Sequence, residues 1–270
     1  MSIVKVREIN THVLELNHDA EESIIMVHGM FGNLAQFYLT LAPHLSNKYR
    51  VVMYDIKSHG RSDKSEKGYD LVSLTDDMLE LMNALEIDSA HFVGFSYGAL
   101  MTLKFAMRFP DRVRKIALIE TPPRPDEPLK SKGGYNFDDF LTFAFTLPEH
   151  VKTNFLRNKK QVDKTYKMYE YIYNWTSFVD DMNTERDLER DELFGIKHNI
   201  LLLYGTRSVC LPMAYKLCTE LNNPKVLIKE GDHGFFMNHC AEVSSDLDKF
   251  FSLEKENSTA NTVDSNKIFI

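Results

Sequence analysis

Short apolar runs rich in β-branched residues recur along the chain: Ile24–Val27, Arg50–Ile56, Ala90–Phe95, Val113–Ile119, Ile200–Tyr204 and Lys225–Lys229. Apolarity that is continuous rather than alternating is the pattern of strands covered on both faces, as in a parallel sheet. Between these runs, Leu71, Leu74, Met78, Leu81, Met82 and Leu85 fall on one face of a helix over Leu71–Leu85, and Tyr97–Met107 reads as a second helix. Strands alternating with helices predict an α/β fold with a doubly wound, mostly parallel sheet that binds ligands beyond the carboxyl ends of its strands. The first two runs, Ile3–Ile9 and His12–Leu16, alternate instead and are separated by Asn10-Thr11. They predict an antiparallel hairpin at one sheet edge, turning at those two residues.

The alternation stops at Thr121-Pro122-Pro123-Arg124-Pro125-Asp126-Glu127-Pro128. Prolines so closely spaced forbid both a helix and a central strand, so the chain leaves the sheet there. From Phe137 to Leu193 the pattern is helical and dense in aromatics (Phe140, Phe143, Phe145, Phe155, Tyr166, Tyr169, Tyr171, Tyr173, Trp175 and Phe178), and strands resume near Ile200. The expected organisation is a core of residues 1–121 and 195–253, a helical cap of residues 122–194 over the carboxyl edge of the sheet, and a polar, disordered tail of residues 254–270. Most of the insert's aromatics are expected to form its own small core.

The 270 residues are 43% hydrophobic, enough for one sizeable core, and the formal net charge of -7 comes from interspersed acids and bases with no basic stripe to follow phosphates. Nucleic acid is an unexpected partner. No apolar stretch approaches the ~18 residues of a membrane span, and acids occur among the first residues, so a soluble, unexported, cytoplasmic protein is expected. Three cysteines, Cys210, Cys218 and Cys240, are an odd number without C-x-x-C spacing, which suits a reducing compartment. All three are read as small hydrophobes. His239 and Cys240 are adjacent and lack ligand spacing, so neither a metal nor an organic cofactor is expected.

Gly94-Phe95-Ser96-Tyr97-Gly98 joins the run Ala90–Val93 to the helix beginning near Tyr97. A serine between two glycines at a strand-to-helix turn is forced into a strained conformation with its hydroxyl exposed, which is the setting of a nucleophile elbow. A serine hydroxyl needs an adjacent base. His233, in Gly231-Asp232-His233-Gly234 after the last strand, comes to the same sheet edge as Ser96. An attacked carbonyl also needs donors for its oxyanion. Val27-His28-Gly29-Met30-Phe31-Gly32 permits a loop whose Met30 N–H joins the Tyr97 N–H in one pocket. The same loop can be read as a glycine turn around a buried His28 that only organises it.

Four motifs in this order, His28–Gly32, Asp55-Ile56-Lys57-Ser58-His59-Gly60-Arg61-Ser62, Gly94–Gly98 and Gly231-Asp232-His233, resemble the α/β-hydrolase superfamily, over nearly the whole chain from Val13 to Phe251. In that family the segment matching Asp55–Ser62 is chiefly a structural turn. The family's triad acid usually lies in a Gly-x-x-Asp loop after the strand that precedes the histidine strand, but here the loop reads Gly205-Thr206-Arg207-Ser208-Val209-Cys210-Leu211-Pro212, without a carboxylate. Some family members carry the acid at the end of the neighbouring strand, and Glu120 matches that position. The alternatives are a glutamate that only caps the hinge of the insert, a weakened dyad supported by Ser208 or water, and loss of catalysis.

The resemblance implies a serine hydrolase: Ser96 attacks an ester or thioester carbonyl, His233 serves as base and then acid, Glu120 orients His233, and Met30 and Tyr97 hold the oxyanion. The aromatic insert suggests a small apolar acyl or aryl substrate. Alternatives are a thioesterase or cyclase releasing a carrier-bound chain, a lactonase, a carbon–carbon bond hydrolase, or a receptor using the same pocket. A serine nucleophile argues against epoxide hydrolases and haloalkane dehalogenases, whose chemistry needs a carboxylate.

Overall fold

The computed structural model describes residues 2–123, 128–145, 158–184, 188 and 190–252. The expected tail of residues 254–270 and Phe155 lie outside them, as do parts of the Pro-rich segment. Eight strands form one sheet in the order β1-β2-β4-β3-β5-β6-β7-β8. They are β1 Ser2–Val6, β2 Ile9–Leu16, β3 Ser23–Val27, β4 Arg50–Tyr54, β5 Ala90–Phe95, β6 Val113–Ile119, β7 Asn199–Gly205 and β8 Lys225–Lys229. All pairings from β4 to β8 are parallel, while β2 runs antiparallel to β1 and to β4. The six runs expected to be buried parallel strands are β3 to β8, all parallel, but β8 is the edge strand and none of its residues is buried, because β7 alone flanks it.

The hairpin turns three residues earlier than expected. Val6 pairs with Ile9 and Lys5 with Asn10, so Arg7-Glu8 forms the turn and Asn10-Thr11 belongs to β2. Arg7 adopts φ 52°, the positive value a tight hairpin turn requires. Asn10 is held in the strand from outside the hairpin, since its N–H donates to Asp63 Oδ2 at 3.1 Å and its carbonyl accepts from Asp63 N–H at 3.0 Å. Turn preference yields to this tertiary pairing.

Successive strand residues face opposite sides of the sheet and feed two separate cores. Phe92, Ile116, Leu118, Leu202 and Tyr204 pack on one face with helices Leu71–Ala84, Tyr97–Arg108 and Leu211–Glu220. Val93, Phe95, Ala117, Ile119, Leu201 and Leu203 pack on the other with the short helices Ala35–Tyr38 and Ala42–Leu45 and the helix Cys240–Ser252. Asp70 begins the first long helix, where the anion favours the helix N-terminus and its carboxylate accepts from Ser73 N–H at 2.8 Å. Among the described residues, no helix is long and apolar enough to cross a membrane.

Between β6 and β7 lie the helices Phe137–Phe145, Lys159–Trp175, Phe178–Thr184 and Arg190–Phe194. Phe140, Tyr169, Ile172, Phe178 and Val179 are buried there, as expected of an insert with its own core, but Trp175 is 66% exposed. The insert is pinned to the loop before Leu71: Ser177 N–H donates to the Glu66 carbonyl at 2.8 Å and Tyr69 N–H to Asp181 Oδ2 at 2.9 Å.

The crossing of β3 and the helix Tyr97–Arg108 depends on Gly98. A Cβ there would stand 2.1 Å from the Val27 carbonyl oxygen and 2.7 Å from that of His28, both backbone atoms that cannot swing aside. Gly98→Ala is therefore expected to destabilise the fold by about 3 kcal/mol or more, the upper range for overpacking. A chemical-denaturation midpoint indistinguishable from wild type would contradict this.

Candidate active site

Two adjacent strands end in the same manner. Ser96 follows β5 with φ 53° and ψ -122°, and Glu120 follows β6 with φ 57°, both rare for non-glycine residues. Each is tied across to the next strand, Ser96 N–H donating to the Ile119 carbonyl and Glu120 N–H to the Leu203 carbonyl, both at 2.9 Å. The parallel register of β5, β6 and β7 thus brings Ser96, Glu120 and the Gly205 loop into succession along one sheet edge. Ser96 also opens the helix Tyr97–Arg108, whose N-terminal dipole favours negative charge at that point.

Glu120 is fully buried, at 0% exposure, and its carboxylate is held from three sides. Gly205 N–H donates to Oε1 at 2.6 Å, the Ser208 hydroxyl donates to Oε2, and His233 Nδ1 lies 3.1 Å from Oε2. The histidine loop reaches this carboxylate because Gly205 has no side chain. A Cβ there would meet the carbonyl oxygens of Gly231 and Asp232 at 2.5 and 2.6 Å. Thr206 N–H to the Lys229 carbonyl at 2.8 Å and Arg207 N–H to that of Gly231 at 2.7 Å fasten the two loops together. The His233 ring lies on Phe95, centroids 5.0 Å apart, next in sequence to Ser96. Asp232 Oδ1 accepts from Gly234 N–H at 3.1 Å, so that carboxylate is occupied within its own loop.

Ser208, in the loop where a carboxylate was sought and not found, is a donor to Glu120, and its Oγ accepts from Cys210 N–H at 3.0 Å. Cys210 is not merely a small hydrophobe, because its Sγ stands 3.5 Å from His233 Nδ1. No sequence spacing signals that contact, since Glu120, Cys210 and His233 come from three separate loops. Burial works against charging the His233 ring, but Cys210 and the Glu120 carboxylate outweigh it, and the ring's pKa is pushed up to about 9.

The Val27–Gly32 loop is organised by two neutral histidines. Burial holds the His28 pKa below its ordinary value; its Nδ1 donates to the Gly29 carbonyl at 2.8 Å and its Nε2 accepts from Ile56 N–H at 3.0 Å. His59 is pushed down to about 3 by burial and by His28 beside it, and its Nε2 accepts from Phe31 N–H at 3.1 Å. Gly29 N–H is taken by Gln36 Oε1 at 3.1 Å. Of three consecutive N–H groups the outer two are engaged, whereas no described residue accepts from Met30 N–H. Phe31 turns at φ 60° and sets its ring against Tyr169, Tyr173 and Phe178 of the insert, at centroid distances of 5.0, 5.4 and 6.4 Å. Asp55 anchors the neighbouring turn, accepting from Leu34 N–H at 2.8 Å and Arg61 N–H at 2.9 Å and meeting His12 Nδ1 at 2.7 Å.

Residues 22–239 match the alpha/beta hydrolase fold family. The chain is 31% identical over 223 residues to a putative carbamate hydrolase, RutD, of Agrobacterium fabrum, covering 79% of this chain and 76% of that protein. It is 34% identical over 100 residues to a 2-(acetamidomethylene)succinate hydrolase of Mesorhizobium japonicum, covering 37% and 36% of the two chains. Among solved structures, the enol-lactonase of Burkholderia xenovorans superposes with a TM-score of 0.75 at 20% identity, over 93% of this chain and all of the other. A meta-cleavage product hydrolase of Pseudomonas fluorescens superposes at 0.72 and 19% identity, over 93% and 97%. The matched span takes in the elbow, the strand end bearing Glu120 and the His233 loop of the single eight-stranded sheet, and on that ground this chain belongs to the alpha/beta hydrolase fold family.

Proposed function

We propose that the protein is a serine hydrolase that cleaves an ester or thioester of an apolar acyl or aryl substrate, with Ser96 as nucleophile, His233 as general base and Glu120 as the acid of the triad. The observation that carries this reading is the 3.1 Å approach of His233 Nδ1 to a buried carboxylate one strand over from Ser96. An imidazole between a hydroxyl and a carboxylate can take the hydroxyl proton because the carboxylate holds the tautomer and steadies the charge that forms. Glu120 does so without the usual loop acid, and Gly205 N–H and the Ser208 hydroxyl hold it in place.

In the proposed cycle Ser96 Oγ adds to the carbonyl carbon as its proton passes to His233 Nε2. The oxyanion then accepts from Met30 N–H and Tyr97 N–H. Collapse expels the alcohol or thiol, which takes the proton from His233, and a water activated by the same imidazole releases the acid and frees Ser96. The open Met30 N–H between two engaged neighbours supports its part in this cycle. The aromatic rings that Phe31 meets support an apolar substrate, since they bring an apolar surface down to the loop that would hold the oxyanion. The name of the Agrobacterium relative adds a carbamate to the carbonyl substrates worth assaying.

A fluorophosphonate probe tests the reading without a known substrate, because it reacts quickly only with an activated serine. One adduct is expected, mapped by mass spectrometry to the peptide bearing Ser96 and prevented by heat denaturation. An intact protein that stays unlabelled would instead favour a receptor using the same pocket.

A further inference from the structure

We propose that Cys210 Sγ, His233 Nδ1 and a Glu120 carboxylate oxygen form a binding site for a thiophilic divalent cation, Zn2+ foremost, and that its occupation silences Ser96. The three donor atoms lie within 4.8 Å of one another, with Cys210 and Glu120 buried. Zinc bonds of about 2.3 Å to sulfur and about 2.0–2.1 Å to nitrogen and oxygen, at tetrahedral angles, require donor separations of about 3.5 Å for sulfur–nitrogen and about 3.3 Å for nitrogen–oxygen. The separations present are 3.5 Å from Cys210 Sγ to His233 Nδ1 and 3.1 Å from that nitrogen to Glu120 Oε2. Two edges of the tetrahedron therefore stand near zinc-binding length before any cation arrives, the Cys210–Glu120 edge lies within 4.8 Å, and a water would complete the fourth vertex. One thiolate, one imidazole and one carboxylate suit Zn2+ or Cd2+ and disfavour Mg2+ and Ca2+, which need cages of oxygen. The anions of Cys210 and Glu120 balance the charge of the cation. Gly205 N–H and the Ser208 hydroxyl already hold the carboxylate that would bind the cation.

Binding releases the Cys210 thiol proton to solvent and displaces the proton that His233 Nδ1 directs at Glu120, which passes to Nε2 of a neutral ring or to solvent from a doubly protonated one, and Nδ1 then gives its lone pair to the cation. The neutral ring must then carry its one proton on Nε2, the nitrogen that has to accept the proton of Ser96. The cation so locks the ring in the unreactive tautomer and withdraws Glu120 from it. The silencing rests on the serine-hydrolase reading; the binding does not.

The test is a titration with Cd2+ alone, followed by its ultraviolet thiolate charge-transfer band, paired with fluorophosphonate labelling of Ser96 at rising Zn2+. One equivalent of Cd2+ is expected to develop the band in the wild type, in Ser96→Ala and in a Cys218→Ser/Cys240→Ser double variant. Cys210→Ser is expected to lose the band and to raise the Zn2+ concentration that halves labelling by at least tenfold, the lower end of the ~10–100-fold seen for outer-shell changes. Cys210→Ala, which adds no oxygen donor, is the second variant, and circular dichroism checks the fold of each. A band that persists without Cys210, or disappears with Cys218 and Cys240, overturns the site. A band without any effect of Zn2+ on labelling overturns the silencing. A wild type that is never labelled even after chelation removes the hydrolase reading, and the silencing with it, while the cadmium band still decides the site.

Discussion

Ser96→Ala is expected to lower kcat/KM for an activated aryl ester by about 10⁶-fold, the loss seen when the nucleophile of a serine triad is removed. The expected size follows from the arrangement of the edge. Other groups at the site can bind a carbonyl and stabilise negative charge on it, but on the proposed mechanism only Ser96 becomes covalently attached. A residual rate of ~10³–10⁴ over water would remain from the oxyanion donors and binding alone. The alanine methyl occupies the place of the serine Cβ at the same strained φ of 53°, so the fold should be retained and the melting temperature is the control. A variant that keeps a tenth of the wild-type rate would rule out Ser96 as the nucleophile.

Glu120→Gln is expected to cost ~10²–10⁴-fold in kcat, the range for a triad whose carboxylate is replaced by its amide. The substitution keeps the volume of a fully buried side chain and an oxygen to accept from Gly205 N–H, so the loss reports charge and tautomer more than packing. The pH profile separates this from a structural defect. With the His233 pKa raised to about 9, the ring of the free enzyme must lose a proton before it can accept one from Ser96 on the proposed mechanism, so kcat/KM should climb with pH, reach half its plateau near pH 9 and level off above that. Removing the anion takes away one of the two influences that raise this pKa, and the limb of Glu120→Gln should move to lower pH. An unchanged limb would show that Glu120 does not face the base in solution.

The same shift has a stability counterpart of defined sign. A histidine whose folded pKa lies above its unfolded value of ~6.5 stabilises the fold fully below that value, and the contribution is lost as pH rises through the folded pKa. For His233 the window is from about 6.5 to about 9. The difference in melting temperature between wild type and Glu120→Gln should be largest at its acidic end and shrink towards its alkaline end.

Much of the frame is written locally. Strands buried on both faces must be apolar throughout, so β3 to β7 stand out as runs, and an elbow that carries a serine at positive φ between close-packed backbones requires the glycines that mark it. The empty position in the Gly205 loop is equally local, because a missing carboxylate can be read directly and Glu120 ends the adjacent run. Parallel register then determines the neighbours of each strand end, which is why Glu120 could be placed beside the Gly205 loop from the order of the runs and the family resemblance.

What only the tertiary structure decided are contacts between atoms far apart in the chain. The hairpin turns at Arg7-Glu8 because Asp63 holds Asn10 in its strand, and local preference yields to such tertiary context. Met30 N–H is distinguished from its neighbours only because Gln36 and His59 reach back to theirs. Cys210, an unremarkable apolar position in the sequence, stands against the Nδ1 of His233, because three loops converge where the close approach of Gly205 to the Gly231–Asp232 backbone lets them. Periodicity and composition report which side of an element faces the core, whereas a three-atom constellation depends on how separate loops close on one another, and that is settled by packing.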